Sequence, residues 1–225
     1  MKLLILRPEP GASETAERAA EMGLEAVVAP LFRIRPMPAP TVAAERYDAV
    51  LITSANGARH APAGLTALPC FAVGERSAAA ARAAGFADVR SGPSDGAAAA
   101  ALMGSAGVKR ALHPCGNDHL EVGAPGVAID RQVVYAAEPV PRDLFSGPAV
   151  ALIHSPRAGA RFAALAGDRS MFAVAAISAA AAESAGEGWS AKAVAAEPRD
   201  DALLELAAKL CKYGREAAKD GGDGL

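Results

Sequence analysis

Several residue types are scarce in this chain of 225 residues, and each scarcity excludes a class of protein. Aromatic side chains make up 4% of the sequence, so the volume of any core must come from Leu, Ile and Val. The three cysteines form no CxxC pair and no even disulfide set, which suits a reducing compartment. No apolar run reaches the roughly 18 to 20 residues that a membrane span needs. We therefore expect a cytoplasmic globular protein.

Motifs for common ligands and reactions are also missing. The formal net charge is -2 without a basic block, which argues against nucleic acid as a partner. The absence of GxxxxGKS, GxxxxGKT and GxGxxG loops disfavours nucleoside triphosphates and dinucleotides. No GxSxG elbow occurs, and no Ser-His-acid ordering argues for hydrolysis.

One loop carries three residues of metal-ligating type: His113, Cys115 and His119. Zinc sites usually draw their ligands from more than one structural element and require a fourth. A loop whose His and Cys merely follow a strand is the simpler interpretation, so we expect no metal there.

The chain does contain an internal repeat. The apolar run Ala49–Ser54 and the apolar run Val150–Ser155 both end in a small hydroxyl followed by a turn. Each is followed by a second apolar run and an Ala-rich helical segment, and then by a helix that opens with Pro93–Asp95 or with Pro198–Asp200. A duplicated α/β unit is the simplest explanation.

The order of strand, turn and helix predicts parallel sheets with helices on both faces. Two segments interrupt this order. In each, a few residues of alternating polarity are followed by spaced prolines, a pattern that predicts an extended linker. Cutting the chain at the linkers gives one domain inserted in another. The predicted boundaries are 1–32 with 143–212 for one domain, 38–132 for the inserted domain, 30–38 and 133–141 for the linker strands, and 213–225 for a disordered tail.

Parallel α/β sheets bind ligands beyond the carboxyl ends of their strands, where helix N-termini present unpaired backbone N–H groups. The residues predicted at these ends are small, rich in donors and poor in carboxylates. Such a set suits a polyanion better than a metal or an apolar ligand. The candidate binding residues are Arg7, Ser54, Ala55, Asn56, Gly57, Gly74, Ser77, Gly116, Ser155, Arg157 and Ser178.

Six motifs, taken in order, resemble the uroporphyrinogen-III synthases, which close the linear tetrapyrrole hydroxymethylbilane into a ring while inverting its last pyrrole. Each motif alone is weak, but their order and spacing are specific, and the resemblance covers the chain to about Leu210. The motifs are Arg7–Pro10, Pro30–Pro36, Leu51–Gly57, Ala72–Ser77, Val134-Tyr135 and Ala176–Ser178.

The resemblance implies two similar parallel-sheet α/β domains of flavodoxin-like fold, joined by a two-stranded linker, with the substrate in the cleft between them. It also implies a lyase that uses no cofactor or metal and acts as a monomer on a small molecule. That substrate carries eight carboxylates, for which backbone N–H groups and a few arginines are suitable ligands. Among the arginines, Arg7 and Arg157 stand where such a cleft would be.

The resemblance gives Tyr135 a catalytic role, because it matches the family's tyrosine at the second linker. Its phenol could donate a proton to the departing hydroxyl of the substrate. The alternative is a tyrosine whose ring packs beneath the linker. Ser77 stands where the family commonly has a threonine, although as a helix N-cap it would need no functional role.

The second half of the chain departs from the family pattern. Where the family often has Gly-Pro-Thr-Thr-Ala, this chain has Ser178–Ala182, and Ala181 replaces a hydroxyl. A catalytically silent protein that binds tetrapyrroles or other polycarboxylates is therefore an alternative. A signalling module of the response-regulator type is a third, but the strand ends lack the acidic cluster that a phosphoacceptor needs, and Asp48 lies at a strand start.

Overall fold

Strands and helices alternate along most of the chain. The computed structural model describes residues 1–38, 40–92, 96–118, 121–123, 125–141, 143 and 147–220, and side chains only as far as residue 212. The predicted helix start at Pro93–Asp95 and the candidate ligand His119 lie outside these residues. The strands are β1 (Lys2–Ile5), β2 (Ala26–Val28), β3 (Phe32–Pro36), β4 (Ala49–Ile52), β5 (Cys70–Val73), β6 (Val89–Gly92), β7 (Arg110–Gly116), β8 (Ala128–Pro139), β9 (Ala149–Ile153), β10 (Phe172–Ala176) and β11 (Ala191–Val194). The α-helices are α1 (Gly11–Glu21), α2 (Ala55–Arg59), α3 (Gly74–Ala83), α4 (Gly96–Ser105), α5 (Pro156–Leu165), α6 (Ala179–Ser184) and α7 (Asp200–Asp220).

The first unit comprises residues 1–33 and 139–225. Its sheet has the order β11-β10-β9-β1-β2, and every neighbouring pair is parallel. Numbered along this unit, the spatial order is 2-1-3-4-5, which is the flavodoxin-like arrangement. The carboxyl ends of β1 and β9 are therefore neighbours at the centre of the sheet.

The second unit comprises residues 34–138 and contains a sheet of order β3-β8-β7-β4-β5-β6. Five of these strands are parallel and repeat the first unit strand for strand, with β6-β5-β4-β7-β8 in the places of β11-β10-β9-β1-β2. The two copies of the repeated apolar run are the central strands β4 and β9. The predicted class of two similar parallel α/β units is thereby confirmed.

The linker segments pair with one another through β3 and the end of β8. The Met37 N–H donates to the Val134 carbonyl at 2.9 Å, and the Val140 N–H donates to the Leu31 carbonyl at 3.0 Å. Residue numbers rise on one segment as they fall on the other, so the pair is antiparallel. The Arg161 guanidinium donates to the carbonyls of Leu31 at 3.1 Å and Val140 at 2.7 Å. A single arginine thus ties the two segments together.

The central strands are buried over their whole length, as expected where helices cover both faces of a parallel sheet. Every residue of β4 and of β9 is buried. In the second unit, Val50 and Ile52 contribute to one apolar cluster and Leu51 and Phe71 to another. Because successive side chains of a strand point to opposite faces, these two clusters lie on the two sides of the sheet.

Helix α7 continues to Asp220, whereas the sequence predicts a disordered tail over 213–225. The segment 215–219 reads Arg-Glu-Ala-Ala-Lys, and all of these residues favour helix. Charge and glycine content alone therefore gave too early an end to this helix.

Within the described residues, no helix has both the length and the apolar character needed to cross a membrane.

The three cysteines, Cys70, Cys115 and Cys211, are buried, and none of them is in a disulfide. Burial raises the pKa of the Cys70 thiol to about 12, and it also raises the pKa of Cys115. A thiol reacts as its thiolate, so neither side chain is a suitable nucleophile at neutral pH.

Substitution of Gly159 by alanine tests the packing of α5 on α6. A Cβ at Gly159 would lie 2.8 Å from the Ala181 carbonyl oxygen and 3.0 Å from the Ala185 nitrogen. We expect Gly159→Ala to lower the free energy of unfolding by about 1 to 3 kcal/mol, because one helix must shift. Gly167→Ala is the control, since nothing lies within 4 Å of its Cβ position. Chemical unfolding, followed by the fluorescence of Trp189, the one tryptophan in the chain, measures the stability of both variants. Equal stability of the two variants would contradict this packing.

Candidate functional site

Tyr135 owes its position to a bulge between β7 and β8. The register pairs Cys115 with Val133 and Gly116 with Tyr135, so Val134 is passed over. Side chains alternate along a strand, and one extra residue therefore turns everything after it to the other face. Tyr135 consequently lies on the same face of the sheet as Gly116.

The Tyr135 ring lies against Gly116 with its hydroxyl near Ser54. The Ser54 Oγ and the Tyr135 hydroxyl are 3.2 Å apart and share a hydrogen bond. A Cβ at Gly116 would lie 2.7 Å from the Tyr135 Cζ and 2.9 Å from its hydroxyl oxygen, so glycine alone leaves room for the phenol. We call Ser54, Gly116 and Tyr135 the tyrosine cluster.

Ser54 is fixed because it also caps α2. Its Oγ accepts a hydrogen bond from the Gly57 N–H at 3.0 Å, which satisfies one free donor of the first turn. Gly57 is equally constrained, since a Cβ there would lie 2.6 Å from the Pro114 carbonyl oxygen. The sequence Thr53–Gly57 therefore serves to place α2 directly on β7, beside the tyrosine.

The other candidates of the second unit lie on α2 and α3. Ala55 and Asn56 open α2, and the Asn56 side-chain oxygen accepts from Arg59 at 3.1 Å. Gly74 opens α3 with a φ of 71°, a conformation that favours glycine. Ser77 is a buried residue inside α3, whose N-cap is Val73. The predicted capping role of Ser77 is therefore wrong, because the positive φ of Gly74 lets the helix begin directly after β5.

In the first unit, two of the candidate serines cap helices. The Ser155 Oγ accepts from the Ala158 N–H at 3.2 Å at the start of α5, and the Ser178 Oγ accepts from the Ala181 N–H at 3.3 Å at the start of α6. Ser155 occupies the place in its unit that Ser54 occupies in the other. Arg157, exposed in the first turn of α5, stacks its guanidinium 4.4 Å from the centre of the Phe32 ring.

Arg7, the remaining candidate, is 6% exposed and belongs to a buried ionic cluster. Its Nη1 donates to Thr15 and to Asp200, each at 3.1 Å. The Asp200 carboxylate also accepts from the Thr15 hydroxyl at 2.9 Å and from Arg18, and it pairs with the His154 Nε2 at 2.7 Å. Arg7 is thus held inside the unit by a carboxylate whose sequence pattern indicates only a helix start.

The ionic cluster controls the protonation of Asp200. Burial works to raise the pKa of this carboxyl, but the hydrogen bonds from His154, Arg18 and Thr15 and the charge of His154 outweigh it. The pKa of Asp200 is therefore held well below its usual range. The carboxylate stays ionised at neutral pH and balances the arginines around it.

Nothing in the described part of the chain forms a metal site. No group of three or more His, Cys, Asp or Glu side chains there is arranged to hold a metal ion. Of the three residues considered from the sequence, His113 is buried with its Nε2 2.9 Å from the Thr53 hydroxyl, and Cys115 is buried on the same strand.

The sequence matches a known family over most of its length. Residues 13–205 match the family model described as uroporphyrinogen-III synthase HemD. The chain belongs to the uroporphyrinogen-III synthase family. This family consists of cyclising lyases of porphyrin and heme biosynthesis that act on a small-molecule tetrapyrrole, so the resemblance seen in the sequence is confirmed.

Two solved structures of uroporphyrinogen-III synthases share the fold. A synthetase from Helicobacter pylori 26695 aligns with a TM-score of 0.63 at 16% identity, covering 93% of this chain and 100% of that chain. A mutant synthase from the extremely thermophilic bacterium Thermus thermophilus aligns with a TM-score of 0.52 at 13% identity, covering 94% of this chain and 100% of that chain. At such low identity the likeness concerns the fold alone. A comparison with curated proteins gives no match.

Replacement of Asp200 by asparagine tests the ionic cluster. We expect Asp200→Asn to lower the free energy of unfolding at about pH 7 by about 3 to 5 kcal/mol, because the buried Arg7 guanidinium loses its counter-ion. The carboxyl has a lower pKa when folded than when unfolded, so its contribution is present above the unfolded pKa and is lost as pH falls below about 4. The wild-type protein and the variant should therefore converge in stability in acid.

The control for this prediction is Asp201→Asn, because Asp201 is 68% exposed and its one described ion pair, to Arg18, spans 3.7 Å. We expect it to change stability by less than about 1 kcal/mol. Trp189 fluorescence again follows the unfolding. A stability difference between wild-type protein and Asp200→Asn that does not depend on pH would contradict the assignment.

Proposed function

We propose that this chain itself cyclises hydroxymethylbilane to uroporphyrinogen III, with Tyr135 as the proton donor to the departing hydroxyl. The observation that carries the proposal is the tyrosine cluster, in which Ser54 and Gly116 fix the hydroxyl and the ring of the family's tyrosine. Both supporting residues stand at the carboxyl ends of parallel strands, where such sheets bind ligands.

The reaction depends more on control of the substrate's geometry than on chemical activation. Loss of the hydroxyl as water leaves an azafulvene, and spontaneous closure at the free position of the terminal pyrrole gives the type I isomer. Type III requires attack at the substituted carbon, a spiro intermediate, and reclosure. The protein must therefore hold the reactive carbons in the less favoured arrangement, while a phenol beside the hydroxyl assists its departure.

We further propose that the substrate carboxylates are bound by the N-termini of α3 and α5, by Ser178 and by Arg157. The stacking of Arg157 on Phe32 supports this role, because it orients an exposed guanidinium in the first turn of a helix. Arg7 receives a structural role instead. Its guanidinium is buried and already hydrogen-bonded to Asp200, so a carboxylate of the substrate would have to displace that partner.

A silent tetrapyrrole-binding protein is the second candidate function. The observation in its favour is Ala181, which is fully buried in the first turn of α6, where the family pattern has a hydroxyl. A missing donor of this kind would weaken binding before it abolished the reaction. Turnover separates the two functions.

The proposal includes a monomer acting in the cytoplasm. The cysteines are buried and form no disulfide, which supports a reducing compartment. Light scattering of the purified protein tests the monomer, and a dimer mass would contradict it.

The first experiment supplies purified protein with freshly generated hydroxymethylbilane, oxidises the products, and separates the uroporphyrin isomers by chromatography. We expect the type III isomer in excess without any added metal or cofactor. The spontaneous reaction gives type I, so a reaction without protein is the control. Type I alone, at the spontaneous rate, would contradict the synthase and favour the silent binder.

The role of Tyr135 is tested by Tyr135→Phe. We expect kcat for the type III isomer to fall about 100-fold, because the phenol can no longer donate a proton. Stability should fall by only about 1 kcal/mol, the value of the hydrogen bond to Ser54.

Tyr47→Phe is the matched control for that variant. The Tyr47 hydroxyl donates to Asp130 at 3.0 Å, so this variant also loses one tyrosine hydrogen bond in the same unit. We expect normal kcat from it. Normal kcat from Tyr135→Phe, with a normal melting temperature, would contradict the proton-donor role.

A further inference from the structure

His60 lies beside the tyrosine cluster. It follows the last residue of α2, and its ring centre is 6.1 Å from that of Tyr135, with the two ring planes inclined by 39°. The side chain is half-buried, so one part of the imidazole packs in the protein while another part is accessible. An accessible imidazole therefore stands one residue beyond the short helix that Ser54 caps.

The other histidines of the described residues are engaged elsewhere. His113 is fully buried, with its Nε2 at hydrogen-bonding distance from Thr53. His154 is 7% exposed and is bound to Asp200 in the first unit. Among the residues that the structure describes, His60 is thus the histidine that combines accessibility with a place next to Tyr135.

The reaction releases one proton as well as consuming one. Departure of the substrate hydroxyl as water takes a proton from Tyr135 and leaves a tyrosinate. The last carbon–carbon bond forms at the terminal pyrrole carbon that still carries hydrogen, and recovery of the aromatic pyrrole expels that hydrogen as a proton. The proton must reach a base and finally return to Tyr135, so that the enzyme is unchanged after each turnover and the only by-product is water.

We propose that His60 is a second catalytic residue, which accepts the proton expelled at ring closure and returns it to Tyr135. This inference rests on the proposed synthase function. The carbon that loses the hydroxyl bonds to the same pyrrole that later loses the proton, so donor and acceptor must lie on either side of one pyrrole ring. Each of them must also be within a contact distance of about 3 Å of the substrate. The distance of 6.1 Å between the two ring centres leaves room for such an arrangement.

The surroundings of His60 favour the neutral form, which is the form that accepts a proton. Burial, and then the charge of Arg59 on the same helix, lower the pKa of His60. The Tyr135 phenol faces it from β8. The base is therefore ready at neutral pH, and it is lost as the pH falls through a value below the ordinary histidine pKa.

The direct test measures formation of the type III isomer against pH for wild-type protein and for His60→Gln. Counting only type III removes the spontaneous background. We expect kcat/KM of the wild-type protein to decline in acid, at a pH below the ordinary pKa of histidine. His60→Gln should have a kcat about 100-fold lower and no decline in that range, whereas KM and the melting temperature should stay near the wild-type values.

Two further variants separate proton transfer from a structural effect. Arg59→Gln removes the neighbouring positive charge, so the acid limb of the wild-type profile should move to higher pH. His60→Ala leaves space for a free base, and added imidazole should restore part of its lost kcat. Neither result is expected if His60 only supports the position of Tyr135.

Each unfavourable outcome has one meaning. Wild-type protein that produces only type I contradicts the proposed function and, with it, the role of His60. Wild-type protein that produces type III, together with a His60→Gln variant of unchanged kcat and unchanged acid limb, contradicts the role of His60 alone. A slower His60→Gln variant that keeps the acid limb, with no rescue of His60→Ala by imidazole, also contradicts it.

Discussion

Close approach of backbone at two glycines holds the tyrosine cluster together. At Gly57 the first turn of α2 comes so near the Pro114 carbonyl that a Cβ would stand 2.6 Å from the oxygen. At Gly116 the end of β7 forms the floor under the Tyr135 ring. The helix that Ser54 caps and the strand that carries Tyr135 can therefore both press on β7. A methyl group at either glycine would move the serine or the phenol, and the hydrogen bond between them depends on both.

The duplicated sheets use corresponding strand ends in different ways. After β4, Ser54 meets the Tyr135 phenol on β8, and the resulting tyrosine cluster is partly accessible. After β9, His154 turns instead into the buried ionic cluster around Asp200. Charges buried in this way are costly to disturb, so the first cluster suits a group that must meet substrate and the second suits a fixed support. One copy thus carries the cluster for which we propose proton transfer, and the other carries a buried ionic cluster that supports the fold.

Much of the fold could be predicted from the sequence because it depends on local pattern. The wholly apolar runs of β4 and β9 are typical of strands covered on both faces, and their repetition predicts two sheets of one kind. The order of the motifs in the sequence predicts that Tyr135 lies at a linker. Its orientation could not be predicted, because it depends on a bulge of one residue in the hydrogen bonds between β7 and β8.

Contacts over long sequence separations explain what the sequence did not reveal. Asp200 has the pattern of a helix start, and its partner Arg7 lies 193 residues away, so no spacing connects them. His60 ends a helix of five residues that shows no useful periodicity, and only the fold brings it beside Tyr135. The sequence indicates that Arg7 lies at the end of a strand, but it does not show that the folded unit buries the side chain.

We propose that the residues of the tyrosine cluster act together in catalysis, and a double-mutant cycle tests this most directly. The measured quantity is kcat/KM for the type III isomer in wild-type protein, Ser54→Ala, Tyr135→Phe and the double variant. If Ser54 acts by holding the Tyr135 hydroxyl, its replacement should slow the wild-type enzyme clearly and the Tyr135→Phe enzyme hardly at all. Losses that simply add would contradict the account, since the two residues would then act independently.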